Sequence, residues 1–362
     1  MKGDKITDAV IEIKKERESN HRISKLPGPV VKNIDIFVCP GCNHDLRVSD
    51  DGCSLECPAC HHTFECPEGI PHLFWLDESD LRTAVTKTVK SFYEENPFPG
   101  YEDIDSILTF KEKAERGIFA RLLDEQVPHG SRILEVGCGT GQLSNFLAIT
   151  WGRTVFATDI SLNSLRLGQE FKEKNQIDNV SFIQMNLFHP VFKASSFNLV
   201  ICNGVLHHTE DPFLGFKKLR DLVKQGGFII IGLYNKFGRI PNDIRRFLFR
   251  ISGNRLKFLD PRLRNERLSG QRKYIWFRDQ YENPQESKHT FAEVLSWFDQ
   301  CGVCFLNGIP KAGAFETFSP EEKLFQPHPR GTKLDHFLVQ LWMLISGGQE
   351  GGFFLMIGRK EN

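Results

Sequence analysis

Four cysteines stand in two C-x-x-C pairs, Cys39-Pro40-Gly41-Cys42 and Cys57-Pro58-Ala59-Cys60, with 14 residues (43–56) between them. Two thiolates from each pair suit a tetrahedral Zn²⁺, and four sulfurs leave no open position for water, so such a metal is structural. Cys53, Cys66, His44, His61 and His62 stand nearby as alternative ligands. Buried thiols or a redox pair are the metal-free alternatives. A second cluster is glycine-rich. The apolar run Ile133-Leu134-Glu135-Val136 enters Gly137-Cys138-Gly139-Thr140-Gly141, and a helix pattern follows. Glycines there permit a sharp turn and a close backbone approach to a ligand, with helix N–H groups beside it. Asp159 ends the next apolar run, where a carboxylate can accept both hydroxyls of a ribose. A dinucleotide fingerprint fits poorly, because its third small residue would fall at Gln142 and because Glu135 precedes the turn. His207 and His208 follow the fourth such run, where a general base would sit; capping or packing are the other uses of such a pair.

These residues need a scaffold that brings strand ends together. From Ser131 onward, apolar runs at 132–136, 154–158, 180–185, 197–202 and 228–233 alternate with helical patterns at 144–149, 162–174 and 213–224. That alternation predicts an α/β fold with a doubly wound sheet, whose ligands bind at the carboxyl ends of the strands. A helix at 291–300 and strands at 303–307 and 353–357 close it. Residues 79–128 read as helical, broken at Asn96-Pro97-Phe98-Pro99-Gly100, with a second helix running to about 125. A third C-x-x-C, Cys301-Gly302-Val303-Cys304, falls at a helix end and reads as two half-buried thiols. The chain divides into a mobile arm (1–34), a zinc ribbon (35–76), a helical linker or cofactor lid (77–130) and a sheet domain (131–362). Insertions at 236–278 and 310–350 interrupt the last of these, and both are expected to shape the substrate pocket.

The chain has 362 residues, 40% of them apolar, with 46 basic and 46 acidic side chains. Zero net charge argues against a chain-wide basic surface for nucleic acid. It also hides opposed parts. Residues 35–76 hold seven acids and one base, whereas 236–278 hold 13 bases and three acids. The first should repel phosphate. The second reads as an amphipathic basic lid, fit for an anionic or lipid-like acceptor, an RNA backbone or an acidic partner, or as a solvated insert paired with acids elsewhere. A pairing of ribbon against insertion is one expectation. No signal peptide and no apolar run of membrane-spanning length is visible; 337–345 is too short, so a cytoplasmic chain is expected.

The turn Glu135–Gly141 with Asp159, Asn203-Gly204-Val205-Leu206-His207-His208 and Leu222-Val223-Lys224-Gln225-Gly226-Gly227-Phe228 resembles the class I S-adenosylmethionine-dependent methyltransferases. The likeness covers about 131–235 and leans toward quinone-type, small-molecule enzymes. It implies a Rossmann-like sheet and S-adenosyl-L-methionine as cofactor. By position, Gly137, Cys138, Gly139 and Gly141 would line the methionine portion and Glu135 would hold its amino end. Asp159 would bind the ribose, and Ile160, Asn186 and Leu187 would meet the adenine, Asn186 standing where the family often has Asp. Asn203 joins this set. His207, His208 and Tyr234 are the catalytic or acceptor-facing candidates, and Phe92 and Tyr93 suit a lid. The ribbon, with its tail Glu68-Gly69-Ile70-Pro71, resembles modules attached to or partnering with methyltransferases. Its zinc would be held by Cys39, Cys42, Cys57 and Cys60. The expected acceptor is a small molecule. An RNA base methyltransferase and a non-catalytic cofactor-binding scaffold are the alternatives.

Overall fold

A computed structural model describes residues 24–80, 82–101, 104, 106–266, 268–346 and 351–361. Leu81 and Arg267, and residues 1–23 of the expected arm, lie outside these. Residues 24–34 are packed rather than a free arm: helix α1 (Gly28–Lys32) buries Val30, and Leu26 is buried before it. Strands β1 (Arg47–Val48), β2 (Ser54–Glu56) and β3 (Thr63–Glu65) form a small antiparallel sheet around the cysteine pairs. Helix α2 (Thr83–Glu95) follows. The single helix expected up to 125 is two, α3 (Ile107–Glu115) and α4 (Ile118–Gln126). Gly117 is extended between them and starts α4, because glycine is a poor helix interior residue.

The main sheet has seven strands in the order β6-β5-β4-β7-β8-β10-β9. They are β4 (Arg132–Val136), β5 (Thr154–Asp159), β6 (Val180–Gln184), β7 (Phe197–Asn203), β8 (Val223–Tyr234), β9 (Val303–Ile309) and β10 (Phe353–Lys360). The first five are parallel, and β10 runs antiparallel to both β8 and β9. Helices α5 (Gln142–Ile149), α6 (Leu162–Lys174) and α7 (Pro212–Leu222) are the crossovers. The basic insertion folds as α8 (Ile240–Ile251), α9 (Pro261–Arg264) and α10 (Gly270–Tyr281). Then come α11 (Phe291–Gln300) and, between the last two strands, α12 (Lys333–Ser346). The parallel strands are buried on both faces, which is why they read as continuous apolar runs. β8 begins five residues earlier than its apolar run suggests, at Val223, which pairs with Phe197.

The ribbon is continuous with the sheet's β6 side. Phe37 packs edge-on against Phe156 and at a tilt against Phe192 in the main core. Leu73 N–H donates to the Gln184 carbonyl, and Gln184 N–H to the Pro71 carbonyl. The ribbon's acids pair there too, Glu68 with Arg166 and Asp45 with Lys193. The expected pairing of ribbon and basic insertion is therefore not formed among the described residues. The insertion's cations meet other acids: Arg239 and Arg246 share Glu286, Lys288 holds Asp243, and Arg278 reaches Glu282. No helix among the described residues is long and apolar enough to cross a membrane.

Candidate active site

A cavity of about 710 Å³ opens at the carboxyl ends of β4, β5 and β7. Glu135, Gly137, Cys138, Gly139, Asp159, Ile160, Asn186, Leu187 and Asn203 all border it, as do His208 and Tyr234. Gly141 and His207 do not, so two of the expected site residues fall outside. The glycines of the turn have φ of +70°, +54° and +70° at 137, 139 and 141, which other residues rarely adopt. Their missing Cβ atoms would meet protein, not ligand: Val205 Cγ2 at 2.1 Å, the Phe98 carbonyl at 2.1 Å and the Phe182 ring at 2.3 Å respectively. The turn thus needs glycine to lock β4 to its neighbours, and Gly141 does so while capping α5.

The segment after α2 covers the turn. Thr140 N–H donates to the Phe98 carbonyl, Gln142 Nε2 to the Gly100 carbonyl and Tyr101 Oη to the Thr140 carbonyl. Glu94 anchors this cover by accepting from the N–H groups of Leu162 and Asn163 at the start of α6. A carboxylate is favoured there by the helix dipole.

Beneath the cover lie acceptors in excess of donors. Glu135 accepts from Ser144 Oγ, and burial pushes its carboxyl up to about 7 against that bond. Asp159 accepts from the N–H groups of Gly139 and Ser161, yet burial pushes it up to about 6. Asn203 Oδ1 is buried without a hydrogen-bond partner. Asn186 is partly committed: its Oδ1 accepts from Phe188 N–H and its Nδ2 donates to the Trp75 carbonyl.

At the far end of the cavity the chemistry is aromatic. His208 Nδ1 lies 2.6 Å from the Gln285 carbonyl. A carbonyl only accepts, so Nδ1 carries the proton and Nε2 is left with a lone pair. Burial lowers the His208 pKa, opposed by the charge of Asp279, so the ring is neutral near pH 7. His207 is buried with both ring nitrogens unpartnered, packed 4.1 Å from the Tyr234 ring centroid, and burial holds it neutral. Tyr93 donates to Asp279 Oδ1 and accepts from Asn283 Nδ2. Tyr234 accepts from Gln280 Nε2 beneath the Arg239 guanidinium, 3.8 Å from its ring centroid.

Residues 134–231 match the family described as "Methyltransferase domain". This segment is a class I S-adenosylmethionine-dependent methyltransferase domain. The chain is 28% identical over 198 residues to an uncharacterized protein of Synechococcus sp., covering 48% of each. It is 28% identical over 125 residues to the ubiquinone biosynthesis O-methyltransferase of Acinetobacter baylyi, covering 34% of this chain and 50% of that one. The chain thus spans about half the length of the curated relatives it matches. Among solved structures it is similar to PKMT2 from Rickettsia typhi in complex with AdoHcy, at 16% identity and TM-score 0.48, covering 68% of this chain and 53% of that one.

The methyltransferase domain fits its cofactor by the chemistry of its lining. Two carboxylates and an orphaned amide oxygen call for a ligand that brings hydroxyls and positive charge. S-adenosylmethionine has a ribose, an ammonium and a sulfonium. The insertions differ in their reach. Residues 236–278 supply Arg262 and Trp276 to the wall, with Asp279 and Gln280 just beyond, but none of the described residues in 310–350 borders the cavity. That second insertion packs instead on β8 and α4, through Phe325 on Phe228 and Gln126 on Glu322. Asp279, Trp276 and Phe353 border the site without a motif to announce them.

The cysteine pairs converge. The Sγ atoms of Cys39, Cys42, Cys57 and Cys60 all lie within 4.8 Å of one another. Cys39 and Cys60 are 3.6 Å apart and Cys42 and Cys57 3.4 Å, near the roughly 3.8 Å edge of a tetrahedral Zn–S₄ site. The two turns are alike: Asn43 N–H donates to the Cys39 carbonyl, His61 N–H to the Cys57 carbonyl, and both residues have φ of +60°. Cys53, Cys66, His44, His61 and His62 stay outside the cluster. Cys301 and Cys304 are half-buried, as expected.

Proposed function

We propose that this protein methylates an oxygen of a small, largely apolar acceptor, using S-adenosylmethionine. The observation that carries the reading is the pairing, in one cavity, of Glu135 and Asp159 with a neutral His208 whose Nδ1–H is tied to a backbone carbonyl. The likeness to O-methyltransferases supports it at low identity. The cofactor, when bound, supplies an electrophilic methyl group on its sulfonium. Gly137, Cys138 and Gly139 would lie along its methionine portion, and Glu135 would accept from its ammonium. Asp159 would accept from the ribose hydroxyls, with Ile160, Asn186 and Leu187 along the adenine and Asn203 nearby. His208 Nε2 would take the proton of an acceptor hydroxyl, and Asp279 favours the imidazolium so formed. Val89, Trp276 and Phe353 shed water from the acceptor end, where alignment is the main task.

The division into ribbon (35–76), lid (77–130) and methyltransferase domain (131–362) belongs to this reading. So does a Zn²⁺ on Cys39, Cys42, Cys57 and Cys60, which would fix the ribbon against β6 rather than join the chemistry. Calorimetry with S-adenosylmethionine, then methyl-labelled cofactor with cell extract split with and without ribonuclease, tests it. Label in small organic-soluble molecules supports the reading. Label lost to ribonuclease means an RNA acceptor. Binding without label means a scaffold, and no binding at millimolar cofactor ends all three.

A further inference from the structure

Helix α8 carries apolar residues on the side that faces water. It buries Phe249 and Asn242, while Ile240, Ile244, Phe247 and Ile251 recur on the opposite side at spacings of four, three and four. Ile244 is 56% exposed, Phe247 63% and Ile251 65%. Helix α12 repeats the arrangement. It buries Val339 and Met343 but exposes Phe337, Trp342 and Ile345, the last two at 64% and 72%. The segment that leads from β8 into α8 rests on α12: Asn235 Nδ2 donates to Gln340 Oε1, and a Cβ on Gly238 would lie 3.2 Å from Met343 Cβ. Apolar side chains grouped in this way on a surface signify a partner.

The charges around them say which. Lys236, Arg250, Arg255 and Lys333 are exposed, and none forms an ion pair among the described residues. Buried cations of the same region, by contrast, are matched by Glu286. We propose that α8 and α12 seat the protein on an anionic lipid bilayer, the apolar stripe entering the headgroup boundary and the free cations meeting lipid phosphates. RNA would satisfy the cations and could stack on Phe247, Phe337 and Trp342, but it would leave the exposed Ile244, Ile251 and Ile345 in water, whereas a bilayer takes up all six. A second copy of the chain would set these same cations against each other. The insertion that carries α8 also supplies Arg262 and Trp276 to the cavity wall, so the docking surface and the site share one structural unit.

The inference rests on the surface and not on methyl transfer. Its test is flotation of the full chain with phosphatidylcholine vesicles, with or without about 30 mol% phosphatidylglycerol. Binding to the anionic vesicles is expected to exceed that to the neutral ones by at least roughly ten-fold at low salt. The double substitution Phe247→Ser/Ile251→Ser should lower anionic binding by roughly ten-fold or more. Arg250→Glu/Arg255→Glu should do likewise, at about five-fold per lost cation. All four side chains are exposed, so the melting temperature and cofactor binding should not move. No flotation of the parent chain overturns the proposal, and so does flotation of both variants equal to that of the parent. A stable dimer split by Phe247→Ser, or poly(U) binding that outcompetes vesicles, overturns it as well. Flotation without cofactor binding leaves it standing and rejects the methyltransferase reading instead.

Discussion

Glu135→Gln separates the charge of the site from its shape. Glu135 sits at the end of β4, 6% exposed, with Ser144 Oγ as its donor. Burial pushes it up to about 7, and Asp159 up to about 6. A cationic ligand pairs with the ionised forms, so protonation competes with binding. Lowering the pH from 7.5 to 5.5 should weaken affinity by roughly 25-fold through Glu135 and by about a further four-fold through Asp159. Glu135→Gln should lose roughly 10- to 150-fold at pH 7.5, the worth of a charged hydrogen bond, and keep only the about four-fold pH dependence of Asp159. The ligand's own amino group titrates alike for both proteins and cancels in the comparison. Calorimetry in buffers of different ionisation heat counts the protons: about one released at pH 6.5, of which about three-quarters should vanish in Glu135→Gln. Without ligand the sign reverses. The folded chain keeps a proton on Glu135 that the unfolded chain has lost, so stability falls by roughly 3 kcal/mol as pH rises from 4.5 through 7. Affinity flat between pH 7.5 and 5.5, or an equal slope in Glu135→Gln, would refute the reasoning.

His208→Gln should lower kcat by about 10²- to 10⁴-fold on the true acceptor with little change in cofactor affinity, whereas His207→Phe, which removes two unpartnered nitrogens, should keep kcat within a few-fold. Metal analysis of gently purified protein should find one zinc per chain. Cys57→Ser should release it and destabilise the whole fold, since Phe37 of the ribbon packs on Phe156 of β5. Arg239→Met should cost about 1.5–3 kcal/mol in denaturant unfolding, because Glu286, held down at about 2 against burial by Arg239 first and Arg246 second, loses the stronger of its two guanidinium partners.

The parallel strands were legible because strands buried on both faces must be apolar throughout, as in Val180–Gln184. Helices α6 and α11 begin where the sequence pattern places them because Ser161 and Thr290 cap their N-termini, the latter in a capping box with Glu293. The apolar run at 228–233 understates β8 because the strand's first part is out of register: Val223 pairs with Phe197 and Phe228 with Leu199, so 224–227 bulge, with Gly226 at φ +69°. Gly227 fits inside that bulge, where a Cβ would lie 2.9 Å from the Lys224 carbonyl and 3.0 Å from the Asn198 carbonyl. Motif position located the site but not its orientation. Gly141 and His207 belong to the same motifs as Gly139 and His208, yet Gly141 backs onto the Phe182 ring and His207 packs on the Tyr234 ring. Asp279 was invisible for another reason: it reaches Tyr93, 186 residues away in the chain, only through tertiary structure.

The zero net charge also acquires a physical meaning. The acidic ribbon closes the β6 side of the sheet and satisfies its ion pairs locally, on Arg166 and Lys193. The basic insertion follows β8 on the other half of the sheet, with several of its exposed cations unpaired among the described residues. Opposite charges held apart by a rigid sheet do not cancel as they would in contact; they make the molecule electrically two-ended. Near an anionic surface the insertion is drawn in and the ribbon repelled, so both ends favour one orientation. Salt should therefore weaken vesicle binding steeply, since the Debye length shrinks from ~10 Å at 0.1 M to ~3 Å at 1 M. Reversing ribbon acids that touch neither cavity nor metal, such as Asp50→Lys/Asp51→Lys, should strengthen that binding without altering cofactor affinity. Unchanged vesicle binding in this variant would mean that the apolar stripe alone orients the protein and that the charge asymmetry contributes nothing to docking.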